Sequence, residues 1–140
     1  MDKKIVYIDG VFDLFHRGHL ESLKKAKYFD NKEWLLIVGV VSDEDAESYK
    51  RKPIISFEDR CEIIKSINIV DQVIEGCPLV LDNDFLNKYN ISMVVHGFAD
   101  EHDWKIQKPF YNDIIDRFSK IQYYSKISTT DIIDKIKKNY

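Results

Sequence analysis

The chain has 140 residues, 44% of them hydrophobic and 32% charged, which is enough for one domain with a buried core. Its 21 basic and 24 acidic side chains leave a net charge of −3, so no overall pull toward nucleic acid is expected. No apolar run approaches the ~20 residues of a membrane span, and the opening MDKKIVYIDG lacks a signal-peptide core; the expectation is a cytoplasmic chain without a membrane-binding segment.

Residues 4–9 form a continuous β-branched apolar run, which predicts a buried strand. A helix follows from about His16 to Phe29, with Leu20, Leu23 and Ala26 on one face, and WLLIVGVV (34–41) predicts a second strand. The polar SDEDAESYKRKP reads as a connector to Ser56, an N-cap with Asp59 three residues on; the helix it opens buries Phe57, Cys61 and Ile64. Cys61 and Cys77 sit among apolar residues without metal-ligand or CxxC spacing and read as reduced core thiols.

Short strands at 70–74 and 91–95 flank a helix around Asp84–Tyr89. A helix from about Pro109 to Phe118 is expected to turn Tyr111, Ile114, Ile115 and Phe118 inward, before a fifth strand at about 120–124. Ser128 and Asp131 cap a last helix, expected to pack through Ile132, Ile133 and Ile136. Five strands alternating with five helices predict an α/β fold: a single domain, 1–140, built on a Rossmann-like open parallel sheet of about five strands with flanking helices. Such sheets bind ligands outside the carboxyl ends of their strands.

At the end of the first strand stands DGVFDLFHRGH (9–19), with neither the GxGxxG nor the GxxxxGK[ST] phosphate loop. Gly10 follows the strand, and His16-Arg17-Gly18-His19 opens the helix, where unpaired N–H groups and partial positive charge favour phosphate. The two imidazoles add donors that can follow charge growing on phosphoryl oxygens, with Gly18 expected to leave room for the phosphate. Two half-buried histidines in a turn are the plain alternative; an i, i+3 pair with no third ligand is a weak metal site.

These residues resemble the signature of the HxGH nucleotidyltransferases, and most closely their cytidylyltransferase family, in its cholinephosphate branch. LLIVGVVSDE, SFEDR, VDQVI, VVHG and ISTTDII extend the likeness, in order, over nearly the whole chain. The resemblance implies transfer of CMP from CTP to a phosphomonoester, phosphocholine first and phosphoethanolamine or glycerol 3-phosphate as alternatives, in phospholipid precursor synthesis. Pyrophosphate leaves, Mg²⁺ accompanies the triphosphate, no protein ligand for the metal is implied, and the subunits pair as a homodimer.

Carried over by position, the resemblance puts His16 and His19 on the CTP phosphates, with Gly10, Val11, Phe12 and Gly18 along the nucleotide. Lys50 would bridge CTP and acceptor, Arg51 or Lys52 being its neighbours in register, and Arg60 would lie near the phosphates. His96 and Gly97 would meet the ribose or base, and Gln122, Tyr123, Ile127, Ser128 and Thr129 would close the nucleotide site. Asp9 would face a cationic head group, with Tyr111, Leu79 and Trp104 as aromatic-cage positions; leucine stands at 79 where the relatives carry tryptophan. The family's RTxGISTT reads YYSKISTT here, so Tyr123 replaces an arginine and Lys126 a glycine. A nucleotide-binding homologue with weakened catalysis is therefore the alternative.

Overall fold

A computed structural model describes residues 3–140. Five parallel strands form one sheet in the order β3-β2-β1-β4-β5: β1 (Ile5–Gly10), β2 (Leu35–Val40), β3 (Gln72–Glu75), β4 (Ile91–His96) and β5 (Phe118–Lys120). The chain leaves central β1 to build one half of the sheet and returns beside it through β4. The carboxyl ends of β1 and β4 thus flank the switch point at which such sheets bind ligands.

Both faces are covered, as a parallel sheet requires. On one side Val6, Ile8, Leu36, Val38 and Val40 pack with Leu23 and Ala26 of α1 (Arg17–Lys27) and with Cys61 and Ile64 of α3 (Phe57–Lys65). The alternate strand residues Tyr7, Ile37, Ile91 and Val94 face Ala46 of α2 (Asp43–Tyr49), Leu86 of α4 (Asn83–Lys88), Tyr111 and Ile114. Leu23 is fully buried, so Leu23→Ala would cost about 2–5 kcal/mol. The period-two split of the strands puts Asp9 on the same face as Tyr7, at the rim of the sheet. Both cysteines are buried and unpaired.

Two helices occupy stretches where none was expected. α2 starts at Ser42, whose hydroxyl accepts from Asp45 N–H, and its only buried residue is Ala46; it shows no apolar stripe because it barely has one. α5 (Glu101–Gln107) starts at Asp100, capping Asp103 N–H. The helix expected over 109–118 is instead a pair of tight 3₁₀ turns, Lys108–Phe110 and Asn112–Arg117, broken at Ile114. Ile114 is buried but Ile115 is half exposed, since a tight turn points only one of the two inward.

β5 ends at Lys120, short of the expected 120–124, because residues 121–128 leave the sheet to wall the site. The last helix, α6 (Thr129–Asn139), contains no buried residue, and Ile136 is half exposed rather than packed. Among the described residues no helix is long and apolar enough to cross a membrane.

Candidate active site

The turn between β1 and α1 is strained: Phe12 and Leu14 hold φ of 55° and 49°, a region that costs a bulky residue about 1–3 kcal/mol. Asp13, buried between them, pins this turn to its surroundings. Its two carboxylate oxygens accept the N–H groups of Ile54 and Ile55, each at 2.8 Å, and its backbone carbonyl accepts the Thr129 hydroxyl at 3.0 Å. One aspartate therefore ties together the first turn, the segment after α2 and the start of α6.

His16 is the N-cap of α1. Its Nδ1 accepts from Gly18 N–H at 2.9 Å, while His19 Nδ1 accepts from the His16 N–H at 3.1 Å. A ring nitrogen that accepts carries no proton, so both imidazoles are fixed as the Nε2–H tautomer. His16 Nε2 lies 3.4 Å from Thr129 Oγ1, which passes its own proton to the Asp13 carbonyl. Burial lowers the His16 pKa, and burial with the nearby His16 and Lys50 lowers that of His19 to about 3. The pair is neutral near pH 7 and presents Nε2–H donors.

A Cβ at Gly18 would come within 2.7 Å of His16 Cε1 and 3.0 Å of Nδ1, so the glycine makes room for the capping imidazole. Its N–H is likewise spent on that ring.

Fourteen of the expected site residues line one cavity of about 460 Å³: Asp9, Gly10, Val11, Phe12, His16, Gly18, His19, Lys50, His96, Gly97, Tyr123, Ile127, Ser128 and Thr129. Lys50 caps the carboxyl end of α2, its N–H donating to Ala46 carbonyl at 2.9 Å. Its side chain keeps access to solvent in the cleft, and desolvation of the ammonium by the surrounding protein, with Arg51 nearby, lowers its pKa against the pull of Asp103 and Asp9. Arg51 also lines the cavity, whereas Lys52 is exposed outside it.

At the base of the cavity Asp9 accepts from Tyr111 Oη at 3.1 Å and from Tyr7 Oη at 3.4 Å; His96 Nδ1 is 3.7 Å away and has no hydrogen-bond partner among the described residues. Burial pushes the Asp9 carboxyl up to about 6 against the pull of the tyrosine hydroxyls and Lys50, and burial takes His96 down to about 4. A cation entering here would meet a carboxylate already stripped of water.

Five expected site residues lie elsewhere. Arg60 is completely buried: Nη1 donates to the Val11 and Val41 carbonyls at 2.7 and 2.9 Å, Nε to Ile55 at 3.1 Å, and Nη2 to Asp43 at 2.6 Å. Its donors are spent on joining three loops, so it positions the site without reaching the cavity. Tyr111 stands behind the cavity, its hydroxyl on the Asp9 carboxylate and its ring packed 5.8 Å from that of His96. Leu79 packs in the core, and Trp104 lies against Phe98 and Phe118 with the Lys120 ammonium 4.1 Å over its ring. Gln122 is exposed and offers only its carbonyl, to Lys25.

Asp13, Asp103, Tyr124 and Thr130 line the cavity without having been expected there. A clue to Asp13 was its place between apolar residues in FDL, since a buried aspartate needs partners. Asp103 accepts from Ala99 N–H at 3.0 Å and Gln107 Nε2 at 2.7 Å; the D-x-x-D of an N-cap could have revealed its helix.

An open parallel sheet with a cavity at its switch point, bounded by two helix N-termini, places this chain among the α/β proteins that bind ligands at the carboxyl ends of their strands. A profile described as Cytidylyltransferase-like matches residues 7–135, and the chain belongs to that family. It is 36% identical over 138 residues to choline-phosphate cytidylyltransferase 2 of Arabidopsis thaliana, covering 96% of this chain and 45% of the relative. It is also 36% identical over 104 residues to ethanolamine-phosphate cytidylyltransferase of the same plant, covering 73% and 24%. The yeast Saccharomyces cerevisiae choline-phosphate cytidylyltransferase is 36% identical over 141 residues, with 96% and 32% covered. The chain thus spans less than half the length of these relatives. Among solved structures, the lipopolysaccharide core biosynthesis protein of Thermoplasma volcanium shares the fold, with a TM-score of 0.64 at 23% identity, covering 89% of this chain and all of that one.

Proposed function

We propose that this chain transfers CMP from CTP to a phosphomonoester bearing a cationic head group, with phosphocholine the first acceptor and phosphoethanolamine the second. The observation that carries the reading is the pair of Nε2–H imidazoles facing the same cavity as Lys50 and the desolvated Asp9 carboxylate. The printed names of the relatives, choline-phosphate and ethanolamine-phosphate cytidylyltransferase, support the same chemistry.

The acceptor is already largely a dianion near pH 7, since the second proton of a phosphomonoester leaves at about pH 6. Its oxygen attacks the α-phosphorus, the bond from that phosphorus to the bridging oxygen breaks, and pyrophosphate departs with the electron pair. No protein base or nucleophile is needed; positioning and fixed donors lower the barrier. Among the described residues no group of three or more His, Cys, Asp or Glu could hold a metal ion. Mg²⁺ is proposed to arrive on the triphosphate, where it would neutralise phosphate charge.

The test is pyrophosphate release from CTP with Mg²⁺ and each of phosphocholine, phosphoethanolamine and glycerol 3-phosphate, with ATP as the control nucleotide. Release with CTP and a cationic acceptor is expected; no release with any acceptor overturns the reading. Tyr123, a neutral phenol on the cavity wall, favours the alternative of nucleotide binding without turnover, which calorimetry with CTP would reveal.

A further inference from the structure

A nucleotide triphosphate brings three to four negative charges, yet Lys50 and Arg51 are the only lysine and arginine among the residues lining the cavity. The three histidines there have lowered pKa values and add no charge near pH 7. Lys126 is exposed and outside the cavity.

The arginines of the chain are differently placed. Arg17 pairs with Glu21 at 2.8 Å, Arg60 is consumed by its buried contacts, and Arg117 binds Asn83 and the Ile91 carbonyl. Arg51 has no carboxylate partner among the described residues. Its one hydrogen bond runs from Nη2 to the hydroxyl of Thr130, in the first turn of α6. The preceding Thr129 is the residue that stands against His16 Nε2. A residue from the segment after α2 is thereby anchored beside the imidazole pair, with Nε and Nη1 unspent. A guanidinium offers those donors as a planar fork suited to phosphate and keeps its charge throughout the accessible pH range.

Both cations line the same cavity, and Arg51 is held at its α6 end by the Thr130 hydroxyl.

We propose that Arg51 is a phosphate-binding residue, gripping the terminal two phosphates of the nucleotide and holding the charge that builds on pyrophosphate as it leaves. This rests on the reading of the cavity as a CTP-dependent transferase site.

Calorimetry with pyrophosphate alone isolates the contact from the chemistry. Arg51→Ala should weaken pyrophosphate binding about tenfold or more, the loss of one charged hydrogen-bonding group. Arg51→Lys should recover part of it, and Lys52→Ala should bind as the wild type does. In turnover, Arg51→Ala should lower kcat/KM for CTP and leave the acceptor KM unchanged. Tyr123→Arg, added to Arg51→Ala, should restore part of the binding by placing a guanidinium on another wall of the same cavity. Equal pyrophosphate affinity in wild type and Arg51→Ala overturns the assignment, as does a loss confined to the acceptor. If Arg51→Ala weakens pyrophosphate binding but no acceptor is ever cytidylylated, Arg51 stands as a phosphate ligand and the transferase reading falls.

Discussion

The rings of His16 and His19 stack with their centroids 3.9 Å apart and 25° between their planes, each accepting a backbone N–H at Nδ1. One side of each ring builds the helix start and the other faces the cavity. These duties separate by substitution. In His16→Asn the new amide oxygen reproduces the acceptor toward Gly18 N–H, but the outer N–H is gone. This variant should keep thermal stability close to wild type while pyrophosphate release falls about a hundredfold. His16→Ala should lose activity as well as about 1 kcal/mol of stability, read by urea unfolding. A stable, fully active His16→Asn protein would remove the imidazole from the chemistry.

Asp9 titrates at about 6 when buried beside Tyr7, Tyr111 and His96. Below that pH it is a neutral acid and offers a cation nothing, so the acceptor KM should climb as pH falls through about 6. CTP affinity should change less. Linkage gives the opposite sign for folding. A carboxyl raised above its unfolded pKa favours the folded state at low pH and loses that contribution as pH rises from about 4 to 6. Asp9→Asn should therefore raise the melting temperature at about pH 7.5 and reduce the acid limb of the acceptor profile to the part set by the acceptor's own second proton. A limb unchanged in Asp9→Asn belongs to another group.

Arg60 holds Val11, Val41, Ile55 and Asp43 from a fully buried position. Arg60→Met leaves three carbonyls without these donors and should cost about 3 kcal/mol or more by denaturant titration. Arg60→Lys should recover little, because one ammonium cannot span the three loops. A variant that is stable but inactive would return Arg60 to the substrate.

The central strands were legible because a continuous β-branched run has few other homes, and Ser56 and Ser128 announced their helices through hydroxyl and acid at fixed spacing. α2 and α5 were not, since helices of seven residues with one buried side chain each leave no apolar period to count. At the site, the HxGH signature located the cavity at once. It could not say that Gly18 yields to a ring, or that Arg60 turns away from the cavity. Those outcomes depend on which backbone groups lie within reach, and only the folded chain brings Val11, Val41 and Ile55 around one guanidinium. Trp104 was misplaced for a similar reason: a loop aromatic can cover the core or the ligand, and here Phe98 and Phe118 claim it.

Asp13 accepts through its backbone carbonyl from Thr129, 116 positions later in the chain. On the ribosome, at about 5–20 residues per second, roughly ten seconds separate the two ends of that bond. Throughout that interval the sheet can assemble strand by strand, but the wall beside His16 does not exist. A prematurely released copy would carry most of the sheet and yet lack the α6 wall of the cavity.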